Sequence, residues 1–137
     1  MKIYLAHPFD TRKAMRQWEL ETEIQSDIDI VNPFYDHNRN DVHAIDDGTM
    51  GRYEKLIASD IVERDLELVR SCDAIIGIIS GDFSVGTLFE LAYAYYICNM
   101  PLYIVCTNGH EEHPWIKYHA TDVYTCLNEL QKDLVEL

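Results

Sequence analysis

The chain has 137 residues, 47% hydrophobic and 26% charged, with a formal net charge of −13. That is enough chain for a real core in an ordinary soluble protein, and the acidic balance argues against nucleic acid as a partner, which needs clustered Lys and Arg. No apolar run reaches the roughly 18 residues of a membrane span, and four cysteines without C-x-x-C spacing read as reduced thiols, so a cytoplasmic protein with no membrane partner is expected.

Residues 2–6 read as a first strand, ended by His7-Pro8-Phe9. An amphipathic helix follows over 11–25, with Asp10 or Thr11 as its N-cap. Ile28-Asp29-Ile30-Val31 is a short strand stopped by Asn32-Pro33. Residues 32–50 are polar and irregular, long enough to suggest a functional loop or lid. The clearest helix spans 52–71, where Ile57, Ala58, Ile61, Val62, Leu66 and Val69 follow the helical repeat and Glu63, Arg64, Glu67 and Arg70 fall outside it.

A buried strand over 74–79, a turn-forming loop over 80–85 and a helix over 87–98 come next. The strand 102–106, opened by Pro101, precedes a loop with Pro114 and Trp115, a short strand near 123–124 and a helix over about 126–136. Strands alternating with helices predict an α/β fold. The expectation is a single three-layer domain over 1–137, with a flavodoxin- or Rossmann-like parallel sheet of about five strands and helices on both faces.

Glu90 is the sole acidic or basic residue between Gly86 and Asn99, in a helix otherwise apolar nearly all round. A carboxylate there needs a hydrogen bond, a partner or a use. Thr87 and Glu90 also have the S/T-x-x-E spacing of a capping box, in which Glu90 would only fold back on its cap. Asp65 lies four residues from both Ile61 and Val69, within the apolar stripe of its helix, and reads either as a salt-bridge partner or as a site residue. Tyr4, in the first strand, is a core residue or a phenol in search of a partner. Two carboxylates and a phenol from three elements suit glycosidic-bond chemistry.

At these positions the chain resembles the nucleoside 2-deoxyribosyltransferases and their relatives, the nucleoside 5′-monophosphate N-glycosidases. The resemblance is carried by Ile3-Tyr4-Leu5-Ala6-His7-Pro8-Phe9, by the run from Ile61 to Ala74, and by Gly86-Thr87-Leu88-Phe89-Glu90-Leu91-Ala92-Tyr93-Ala94. It implies that Glu90 is the nucleophile, that Asp65 handles the proton of the base, and that Tyr4 orients the nucleophile. It implies that His7, Pro8 and Phe9 line the nucleoside pocket. It implies that Ser84 and Gly86 belong to the substrate-binding set, with Asp82, if the loop is shifted, in place of the nucleoside-contacting Asp that the transferases carry where this chain has Ser84.

Serine at that position is the pattern of the monophosphate N-glycosidases, which use it on the 5′-phosphate. Gly86-Thr87 follows the transferases. Ala92 replaces the family's usual Gly. Transfer of deoxyribose between nucleobases is the first reading, and hydrolysis of nucleoside monophosphates the second. A non-catalytic nucleotide sensor and a glycohydrolase of NAD-like ligands are further rivals.

The resemblance also implies a homo-oligomer whose sites are completed by a neighbour, with 115–119 as the contributing stretch. Neither a cofactor nor a metal is expected, since His110-Glu111-Glu112-His113 lacks the i, i+4 histidine spacing of a helical zinc site. His37 and His43 read as solvated loop residues, with a lid histidine over the base as the alternative.

Overall fold

The computed structural model describes residues 1–35, 55–81 and 84–137. Among these, β1 (Lys2–Ala6), β2 (Asp29–Val31), β3 (Ala74–Ile79), β4 (Leu102–Cys106) and β5 (Asp122–Tyr124) form one parallel sheet in the order β2-β1-β3-β4-β5. Between the strands run α1 (Arg12–Gln25), α2 (Lys55–Arg70), α3 (Val85–Tyr96) and α4 (Pro114–His119), and α5 (Leu127–Val135) follows β5. A 3-10 turn at Phe9–Thr11 leads into α1.

The sheet divides two apolar layers, because successive strand residues point to opposite faces. On one face Ile3, Leu5 and Ile76 pack with Met15 and Trp18 of α1 and Leu130 and Leu134 of α5. On the other, Tyr4, Ala6 and Ile75 pack with Leu68 and Val69 of α2 and Leu91 and Ala94 of α3. Covered on both sides, β3 is the near-continuous apolar run expected of a central parallel strand.

The chain passes from β1 outward to β2 on one side and returns to β3 on the other. Ligands of open α/β sheets bind beyond the strand ends at such a reversal. In the β1–β3 register Ala6 lies opposite Gly77. A Cβ on Gly77 would fall 2.6 Å from Cδ2 of Leu91, so glycine is what lets α3 lie this close over the sheet.

Three helices differ from their sequence expectation. Residues 114–119, read as loop, form α4, because Pro114 suits the first helical turn and His113 caps it. Helix α3 starts at Val85 instead of residue 87, because Ser84, in extended backbone, is the N-cap and accepts from the Thr87 N–H. It ends earlier as well, and Asn99 adopts a left-handed φ of 52° in the turn that follows. On α2, Val62 is 52% exposed, while Leu68 and Val69 are buried. Leu68 and Val69 set the buried stripe, and Asp65, three and four residues before them, lies on it. The four cysteines are all free thiols. No helix among the described residues is long and apolar enough to cross a membrane.

Candidate active site

Tyr4 is fully buried in β1, and its hydroxyl donates to Oε2 of Glu90, a residue 86 positions away in sequence. Glu90 is half-buried in the second turn of α3. The capping box does not form: Ser84 caps the helix, so Glu90 lies beyond the first turn and turns to Tyr4 instead of Thr87. A hydrogen bond from a phenol aims the carboxylate.

Asp65 is half-buried on α2, in the stripe of Leu68 and Val69 and on the same sheet face as Tyr4. Helices α2 and α3 are neighbours there. Strand β1 and both helices therefore bring the phenol and the two carboxylates into one layer.

Ser84 has its hydroxyl 2.8 Å from Thr87 Oγ1 and 3.4 Å from the Thr87 backbone N. With Pro8, Ile79, Ser80, Thr87 and Asn108 it lines a small cavity beyond the carboxyl ends of β1, β3 and β4. Gly86 is exposed in the first turn of α3. Asp82 lies outside the described residues, as do His37 and His43. Asn108 was not singled out by the sequence reading. Its Oδ1 accepts from Cys106 Sγ at 3.1 Å and from the His110 N–H at 3.2 Å, while its Nδ2 reaches the Gly81 carbonyl at 3.5 Å. It ties the loop after β4 to the loop after β3.

Pro8 and Phe9 are half-buried, and the Phe9 ring meets Phe34 edge-on at 5.6 Å. His7 is only 3% exposed. Its Nδ1 is 3.0 Å from the Pro8 carbonyl and its Nε2 3.0 Å from Asn32 Oδ1. Burial pulls its pKa below the ordinary histidine value, against the upward pull of the bonds to Asn32 and Pro8.

Behind it lies a cluster that the sequence reading passed over. Asn32 Nδ2 donates to Glu19 Oε1 at 2.8 Å, and Arg16 Nη1 lies 3.2 Å from the same oxygen. Glu19 and Asn32 are both fully buried. The signal was present, since Glu19 falls four residues after Met15 and three before Thr22, on the buried face of α1.

At the other edge of the site, His113 caps α4 by accepting from the Trp115 N–H, and Trp115 and Tyr118 are each 71% exposed. Leu88, Leu91 and Tyr96 of α3 face Trp115 and His119 across a groove of about 410 Å³.

No protein-family model and no curated protein sequence matches the chain. Solved structures do. The chain is similar to a 2-deoxyribosyltransferase from Bacillus psychrosaccharolyticus, with TM-score 0.69 and 20% identity over 96% of this chain and 90% of that one. It is similar to a conserved protein from Enterococcus faecalis V583, with TM-score 0.72 and 16% identity over 99% and 97% of the two chains. A CMP N-glycosidase from Clostridium botulinum aligns with TM-score 0.58 and 10% identity over 98% and 97%. The chain has the fold of these proteins, and that fold supports N-glycosidic-bond chemistry in two of them.

Proposed function

We propose that the chain is an N-glycosidic-bond enzyme of the nucleoside 2-deoxyribosyltransferase kind. Glu90 attacks C1′ of a 2′-deoxynucleoside, the C1′–N bond breaks, and the base leaves with a proton supplied from Asp65. A second nucleobase, or water, then displaces the glutamyl ester at C1′, and Asp65 takes back the proton. Tyr4 holds the nucleophile's other oxygen throughout. The observation that carries this reading is the Tyr4–Glu90 hydrogen bond. Glu90 meets Tyr4 and not the helix cap, which supports a role for it beyond capping.

A second reading keeps the site and takes a nucleoside monophosphate, with release to water. The observation that favours it is Ser84 at the N-cap of α3, where a hydroxyl and first-turn N–H groups suit a phosphate. Incubation with deoxynucleosides and with deoxynucleotides, with and without a free acceptor base, separates the two by their products on chromatography. No base release from either class would remove the proposal.

A homo-oligomer belongs to the same proposal. The groove between α3 and α4, with the exposed rings of Trp115, Tyr118 and Tyr96 around it, is the surface we assign to a neighbouring copy. Sedimentation that finds a monomer at assay concentration, with full activity, would overturn that assignment.

A further inference from the structure

The orientation of Asn32, behind His7, is fixed by its neighbours. Asn32 Oδ1 accepts the Phe34 N–H at 3.1 Å, and Asn32 Nδ2 donates to Glu19. Flipping the amide would set its carbonyl against the Glu19 carboxylate and its NH2 against the Phe34 N–H, so the orientation is determined. His7 Nε2 therefore faces an acceptor and must donate. His7 Nδ1 lies 3.0 Å from the Pro8 carbonyl, another acceptor, so both bonds are made only when the ring carries two protons. An imidazole ring that donates from both nitrogens is an imidazolium.

A buried cation requires a counter-charge. Glu19, shared with Arg16, is the carboxylate that faces it through the Asn32 amide. Among the described residues the other charged or titratable groups on this side include Arg16, paired with Glu19, Glu23, whose Oε2 accepts from the Ile30 N–H at 3.0 Å, Arg12, whose guanidinium lies 3.7 Å over the Phe9 ring, and Tyr35, beneath Arg16. Tyr4, on the same strand, belongs to the opposite face of the sheet.

We propose that His7 is a positioning residue which, in its doubly protonated form, ties the exit of β1 to the exit of β2 and so sets Phe9 and Phe34 at the rim of the site, with Glu19 as its counter-charge. The inference rests on the proposed function only for what the rim binds. Its mechanical part stands on the hydrogen bonds alone. Below the ring's pKa both bonds are made. As pH rises through a value under the usual histidine range, one proton leaves and one of the two bonds is lost. The rim then loosens, and substrate binding weakens while the attack by Glu90 is left in place.

The test is long-range nitrogen–proton NMR of histidine-labelled protein from about pH 5 to about pH 8, with His7 assigned by its absence in His7→Gln. Two protonated ring nitrogens on the acid side are expected. In Glu19→Gln the transition should move about one pH unit lower, because the counter-charge is gone. In parallel, KM for the deoxynucleoside should rise about threefold through the same transition, with kcat nearly level. A His7 ring that carries one proton throughout that range overturns the proposal, as does a KM indifferent to a transition that the spectra show. Should no substrate be turned over, the nitrogen spectra of the wild type and of Glu19→Gln still decide the protonation state and its counter-charge by themselves.

Discussion

Two glutamates, Glu19 and Glu90, face opposite layers of the same sheet, and they are held in opposite ways. Glu19 is fully buried between a guanidinium and an amide, partners that fix its charge in place as part of the packing. Glu90 is half-buried and meets a phenol, a neutral donor that orients the anion without cancelling its charge. Burial alone would rank Glu19 as the more anomalous of the two. The partner's chemistry reverses that ranking: the carboxylate matched to a cation is held within the packing, and the one aimed by a hydroxyl is the one the proposed function assigns to attack.

The sharpest way to break the comparison is Glu90→Ala. Base release should fall by several orders of magnitude, while stability falls by about 1 kcal/mol from the orphaned Tyr4 hydroxyl. Product chromatography and thermal melts read the two separately, and a variant that turns over normally takes Glu90 out of the chemistry.

Next in size is Asp65→Asn, which keeps the shape and removes the exchangeable proton. We expect a rate about a hundredfold lower or less, with an altered pH profile in a folded protein. Full activity with an earlier melt would move Asp65 to the structural side, beside Glu19.

Glu19→Ala should show the converse pattern. Leaving Arg16 and Asn32 without their shared acceptor should cost about 3 kcal/mol in a denaturant titration. Its kcat should fall far less than that of Glu90→Ala. A variant as stable as the parent would mean that the cluster contributes nothing net.

Ser84→Asp is the mildest change and divides the two functional readings. An enzyme of nucleosides should be indifferent to it or improved. An enzyme of monophosphates should show a sharp rise in KM, because a carboxylate at the cap repels the phosphate. A wild-type preference for the monophosphate of about tenfold or more in kcat/KM would favour the second reading.

The sheet was legible because its strands carry their own signals: β3 as an apolar run, β1 and β4 as short β-rich segments, each bounded by Gly, Pro or Asn. Glu90 and Tyr4 were legible for a related reason, as polar groups set in apolar elements. The start of α3 was not. Ser84 and Thr87 are both good caps, and Gly86 reads as loop, yet here it lies inside the helix, where the packing of Leu91 against Gly77 outweighs its poor propensity. The cluster around Glu19 was missed for the opposite reason. Its helix is strongly charged, so a glutamate on it draws no notice until Asn32 and His7, from distant parts of the chain, are seen to meet it. The place of His7 in the local motif pointed to the pocket wall, whereas its ring is spent on Asn32 and Pro8. Side-chain direction at the end of a strand is a tertiary outcome.

The position of β1 between β2 and β3 also sets an order of events in time. No pair in this sheet can close as a hairpin, since every ladder is parallel. Ile3 must find Ala74 before Tyr4 has a wall to stand against, and Glu90 arrives only when α3 has docked over Gly77. Each step closes a long loop before any contact rewards it, which slows folding. On refolding, recovery of the proposed activity is therefore expected to follow the return of helical signal.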